Sequence, residues 1–119
     1  MTPEDIGDRT IIGLTEKISV LGKNSMQKEL VARIDTGATK SSMDISLASK
    51  LKLGPVVQNK LVKSAHGVKL RPMIEVEVVI RKKKIKETFT LADRSHMKYP
   101  VLIGQNVLNK GFLIDPMQR

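Results

Sequence analysis

The chain has 119 residues, no cysteine, one Tyr, two Phe, no Trp and a net charge of +9. That length gives one domain with room for a core but not for two lobes, and the lack of cysteine excludes disulfides and thiolate metal sites. The core must be aliphatic, and the scarcity of aromatics leaves little with which to stack single-stranded nucleic acid.

In chain order, residues 1–10 read as a tail, and residues 11–119 as one domain. Ile11 to Leu14 and Lys17 to Leu21 are short strand candidates, with a turn at Gly22-Lys23-Asn24-Ser25. Gln27 to Ile34 is a strand that ends abruptly in Asp35-Thr36-Gly37-Ala38. Asp44 has the character of a helix N-cap. Ile45, Leu47, Ala48 and Leu51 follow at helical spacing, and Gly54-Pro55 is the stop.

Val56 to Ser64 and Val68 to Ile80 read as strands around Ala65-His66-Gly67. In the second, Ile74, Val76, Val78 and Ile80 alternate with Glu75, Glu77 and Val79, the pattern of a strand with one wet face. Arg81-Lys82-Lys83-Lys84 is a solvated hairpin turn, Ile85 to Ala92 returns as a strand, and residues 93–99 are a loop. Val101 to Ile103 is a strand, Gln105 to Lys110 a short helix stopped by Gly111, and Phe112 to Asp115 a last strand before Pro116. This spacing predicts a mostly β protein, a small barrel with one or two short helices.

An acid at the end of an apolar strand is costly to bury unless its charge is paired or hydrogen-bonded. Thr36, Gly37 and Ala38 can supply those hydrogen bonds, which presents Asp35 at a cleft floor. Taken alone, Asp-Thr-Gly also fits a plain strand-ending turn. A second stretch, Pro100-Val101-Leu102-Ile103-Gly104-Gln105-Asn106, adds an apolar strand running into glycine. Together the two stretches resemble the retropepsin-type aspartic peptidases. Ile34-Asp35-Thr36-Gly37-Ala38, Leu91-Ala92-Asp93-Arg94, Leu102-Ile103-Gly104 and Phe112-Leu113-Ile114-Asp115-Pro116 are similar to the prokaryotic retropepsin-like family labelled an ATP-dependent zinc protease.

The resemblance implies a closed acid-protease barrel with Asp35, Thr36 and Gly37 as catalytic residues. Substrate would meet Ala38 and a flap formed by Leu61 to Leu70, with Ala65, His66 and Gly67 at its tip. Aspartic peptidases need two carboxylates sharing one proton, and the chain carries one Asp-Thr-Gly, so the activity requires a homodimer. Two departures stand out: Thr39 and Gln105 occupy positions where many retropepsins carry an acid and an arginine that form an ion pair. A neutral hydrogen bond can take its place.

No cofactor or metal is expected. There is no His-Glu-x-x-His, His66 and His96 are far apart, and no glycine-rich loop suits ATP. The expected partner is a peptide or protein, acidic or glutamate-rich in keeping with the +9 charge. Relatives in the resembling family are associated with ATP-grasp ligases that add glutamates to proteins. Nucleic acid is disfavoured, because scattered lysines give only weak, salt-sensitive attraction. No run reaches the roughly 20 apolar residues of a membrane span, and the acidic start is unlike a secretory signal, so a cytoplasmic location is expected. The rival reading is a binding module that kept the barrel and lost efficient hydrolysis, associated with ribosome or RNA.

Overall fold

Hydrophobic alternation and tight turns shape most of this chain into strands, and the computed structural model describes residues 5–65 and 67–118. In chain order the elements are β1 (Asp5–Ile6), β2 (Arg9–Ile12), β3 (Thr15–Leu21), β4 (Gln27–Ile34), β5 (Ser41–Asp44), α1 (Ile45–Lys50), β6 (Val56–Ser64), β7 (Gly67–Ile80), β8 (Lys83–Ala92), β9 (Val101–Ile103), α2 (Gln105–Leu108) and β10 (Phe112–Ile114).

Seven strands form one sheet in the order β3-β4-β9-β5-β8-β7-β6. A further antiparallel pairing of β3 with β7, Ile18 opposite Ile80 and Val20 opposite Val78, closes six of them into a barrel and leaves β6 outside. The β4–β9 and β5–β8 pairs are parallel. The barrel interior is aliphatic as composition requires. Ile18, Val20, Met43, Ile74, Val76, Val78, Ile80, Val101 and Ile103 are essentially inaccessible, with Phe89 the one aromatic among them.

Strand β7 serves two structures. Its C-terminal half, Met73 to Ile80, pairs with β8. Its N-terminal part pairs with β6, from Ser64 opposite Gly67 to Asn59 opposite Pro72, and the pairing runs on to Gln58 opposite Met73 and Val56 opposite Ile74. Pro72, which has no amide hydrogen to offer, sits one residue beyond the end of the β8 ladder. Past it, the β6–β7 hairpin leaves the barrel as a two-stranded arm.

Residues 5–10, expected to be tail, belong to a second, three-stranded sheet, β1-β2-β10. There β2 runs antiparallel to β1 and parallel to β10. The basic turn is also more than solvated surface. Lys83 Nζ donates to the carbonyls of Asp8 (3.0 Å) and Gly111 (2.8 Å) and lies 5.3 Å from the Phe112 ring centre. Arg81 pairs with the nearly buried Glu16 at 3.0 Å. The turn therefore fastens the terminal sheet to the barrel.

Helix α1 begins after Asp44 as expected but stops well before Gly54-Pro55. Lys52 takes the left-handed conformation (φ 54°). The amides of Lys52 and Leu53 then bond to the Ser49 and Ala48 carbonyls, ending the helix with the paired bonds of a Schellman turn. No helix among the described residues is long and apolar enough to cross a membrane.

Candidate active site

Strands β4 and β5 flank β9 on either side, so residues 35–40 must arch over the end of β9. Asp35 opens this loop, its amide donating to the Ile103 carbonyl at 2.9 Å. Asp35 Oδ1 accepts the Gly37 amide at 2.9 Å, and its second oxygen has no hydrogen-bond partner among the described residues. Half-buried Asp35 thus presents one fixed and one open carboxylate oxygen at the start of the arch, whose Gly37 to Lys40 stretch lines a cavity. A Cβ on Gly37 would stand 3.3 Å from Oδ1, so a larger residue crowds the carboxylate.

The segment after β9 holds the arch from below. Gly104 has no space for a side chain, because an added Cβ would meet the carbonyl oxygens of Lys40 at 2.6 Å and Ala38 at 2.8 Å. The Gln105 and Asn106 amides donate to the Ala38 (2.8 Å) and Thr39 (3.2 Å) carbonyls. Gln105 Nε2 reaches the Thr36 carbonyl at 2.8 Å. A neutral bond therefore anchors the loop through Gln105, but its acceptor is Thr36 backbone rather than the Thr39 side chain.

Beneath lies a buried polar cluster that sequence reasoning missed. Asn106 Oδ1 accepts both the amide (3.0 Å) and hydroxyl (2.8 Å) of Ser41, Ser41 Oγ accepts the Gly104 amide (2.9 Å), and Asn106 Nδ2 donates to the Thr88 carbonyl (2.8 Å). Its signal in the sequence is the asparagine of the Gly104-Gln105-Asn106 run, a polar residue directly after an apolar strand and glycine.

A cavity of about 440 Å³ opens beside the arch. Gly37, Ala38 and Lys40 form one wall, Lys60, Val62 and Arg71 of the hairpin arm another, and Asp93, Arg94 and Met97 a third. The expected flap residues Ala65 and Gly67 sit at the exposed tip of the arm and do not line this cavity. His66 lies outside the described residues. Exposed Thr36 has no side-chain partner among the described residues. Asp35, Thr36, Gly37 and Ala38 are thus gathered in one loop, with the hairpin tip elsewhere.

Arg94 belongs to the Leu91-Ala92-Asp93-Arg94 stretch, whose sequence by itself assigns it no role. Its Nε donates to the Tyr99 carbonyl at 3.0 Å and its amide to Asp44 Oδ1 at 2.8 Å. Burial lowers its pKa from the usual arginine value, the Asp44 charge raises it, Arg33 lowers it and Asp35 raises it. Asp44 is held below the usual carboxylate range, first by the Ser46 hydroxyl at 2.6 Å and then by the Arg94 amide. Among the described residues, no three His, Asp or Glu side chains gather as cation ligands.

The model of the RimB-like family, retropepsin-like aspartic endopeptidase RimB, matches residues 47–119. The chain belongs to the RimB-like family. The matched residues include Arg94, Gly104 and Asn106, while Asp35 lies ahead of them. Among solved structures, Lpg0085, a protein of unknown function from Legionella pneumophila, is similar at 20% identity over 90% of this chain and 93% of its own, with TM-score 0.64. EIAV protease complexed with the inhibitor HBY-793 is similar at 21% identity over 80% and 84%, with TM-score 0.61. Simian foamy virus protease follows at 17% identity over 80% and 91%, with TM-score 0.60. At these identities the likeness establishes the retropepsin fold. A sequence search of curated proteins finds no match.

Proposed function

We propose that this RimB-like protein is an aspartic endopeptidase that works as a homodimer, with Asp35 of each subunit at a shared cleft. The observation that carries this reading is the Asp35 carboxylate, one oxygen fixed by the Gly37 amide and the other without a hydrogen-bond partner among the described residues, in the same loop whose Gly37 to Lys40 stretch lines the cavity. One chain supplies one such acid, and the chemistry needs two. In the dimer, one Asp35 carboxylate takes a proton from water as the oxygen attacks the scissile carbonyl carbon. The protonated partner's Asp35 donates a hydrogen bond to the carbonyl oxygen. Collapse of the intermediate breaks the C–N bond, and the amine leaves with a proton. Thr36 would bond across the two-fold axis. The arm, with exposed Leu61, Val68 and Leu70, would fold over substrate.

Lys40, Lys60, Arg71 and Arg94 line the cavity against one acid, Asp93, which favours acidic substrates, including glutamate-rich tails of the kind ATP-grasp ligases add. Asp35→Asn tests the reading. It should abolish cleavage of such substrates while leaving thermal unfolding and sedimentation as a dimer unchanged. Salt should slow the wild-type reaction. A biological role that survives Asp35→Asn would identify a binding module instead. A monomer in solution with no hydrolysis would sink the enzyme reading.

A further inference from the structure

Arg94 is oriented and incompletely used. The Tyr99 carbonyl takes Nε, and its own backbone amide is spent on Asp44. The ion pairs among the described residues are Lys17–Glu29, Arg81–Glu16 and Lys84–Glu77, so the four terminal guanidinium N–H groups of Arg94 have no carboxylate. Asp44, whose charge acts on Arg94, and the adjacent Asp93 are already engaged, while Asp35 acts on it without an ion pair. Asp44 accepts the Ser46 hydroxyl and the Arg94 amide, and Asp93 accepts the Ser95 amide at 3.0 Å and hydroxyl at 2.6 Å. A half-buried cation without an ion pair is a costly arrangement, and burial lowers this guanidinium's pKa by more than the Asp44 or the Asp35 charge raises it.

A planar fork held by one nitrogen, with its terminal edge unoccupied, suits two parallel bonds to a carboxylate. Arg94 lines the cavity whose other wall is the Gly37 to Lys40 part of the Asp35 loop. Lys40, Lys60 and Arg71 raise the local potential but carry none of this fixed geometry.

We infer that Arg94 is a specificity-determining residue that holds a carboxylate of the bound peptide beside Asp35. The carboxylate is either an acidic side chain or the peptide's C-terminal group. The assignment rests on the cleft proposed above as the peptide site, but it does not require hydrolysis.

Its test separates the two. Fluorescein-labelled alanine octapeptides carrying a single Glu or Gln at each position in turn, with a free or amidated C-terminus, are titrated against full-length Asp35→Asn protein. Arg94→Gln and Arg94→Lys are then made in that background, and their folding is checked by urea unfolding. At one position Glu should bind about tenfold or more tightly than Gln, or the free acid than the amide, a difference of about 1.4 kcal/mol. Whichever pair differs names the source of the carboxylate.

Arg94→Gln should bring that ratio close to one, and Arg94→Lys should restore only part of it, because an ammonium lacks the fork. A ratio that survives in Arg94→Gln, or wild-type-like discrimination by Arg94→Lys, overturns the assignment. So does the absence of any carboxylate preference. Carboxylate-selective binding that depends on Arg94 would stand even if the wild-type protein cleaved nothing, an outcome that removes the peptidase reading alone.

Discussion

Asn106 and Ser41 are 65 residues apart and joined twice, the asparagine Oδ1 accepting the serine amide at 3.0 Å and its hydroxyl at 2.8 Å. Ser41 is fully buried and Asn106 nearly so. The pair welds the far end of the Asp35 arch to the helix after β9. Asn106→Ala strands the Ser41 donors and the Thr88 carbonyl and should cost about 2–3 kcal/mol, with Ser41→Ala costing about 1–2 kcal/mol. Because the two share bonds, the double variant should lose less than the sum. Urea unfolding of the four proteins measures this, and strictly additive losses would contradict a shared network.

Gly104 is required by space. Any Cβ there lies within 2.8 Å of two backbone oxygens of the arch, and backbone cannot swing aside as a flexible side chain does. Gly104→Ala should destabilise the protein by about 1–3 kcal/mol and displace the Asp35 loop. The Asp35 and Gly37 amide shifts in NMR spectra report that displacement. Spectra that change only at residues 104–106 would count against it.

Asp44 couples stability to acidity. Its folded pKa lies below its unfolded value of about 3.9, because the Ser46 hydroxyl and the Arg94 amide favour the ionised form. Its contribution is therefore complete above the unfolded pKa and disappears as pH falls through the folded one. Urea midpoints between pH 7 and pH 2 should fall less steeply for Asp44→Asn than for wild type. At pH 7 the variant should be about 1–2 kcal/mol less stable. Parallel curves would show that Asp44 is not part of the acid response.

Lys83 ties the terminal sheet to the rest through the Asp8 and Gly111 carbonyls. Lys83→Met keeps the aliphatic stem over Phe112 and removes both bonds. Hydrogen exchange should quicken at residues 5–10 and 111–114 while the β3, β7 and β8 amides keep their protection. Uniform loss of protection would mean that the terminal sheet and barrel open as one unit.

Local pattern was enough where a strand carried its own alternation or a clear boundary. The bounds of β4, β6 and β9 follow from apolar runs cut by turns, and the Ile74 to Ile80 face is buried as its period requires. Strand β5 was invisible because Ser-Ser-Met-Asp has no strand pattern of its own. It is extended because β8 and β9 pair with it on either side. The early end of α1 escaped notice because lysine rarely takes the left-handed position that Lys52 occupies. In the site, the Asp35 to Ala38 loop is contiguous and could be read directly. Ser41, Asn106 and Arg94 owe their roles to neighbours distant in sequence, Gly104, Thr88 and Asp44 among them, that no spacing rule connects.

The ladder between β7 and β8 stops at Met73, and Pro72 stands just past its end. Everything on the arm side of that point is registered only against β6. Residues can be inserted or exchanged there in matched pairs without shifting any strand of the closed barrel. The arm can therefore vary independently of the scaffold beneath it, and a graft of another relative's arm should conserve the melting behaviour of the host and, where the arm covers substrate as proposed, exchange substrate preference.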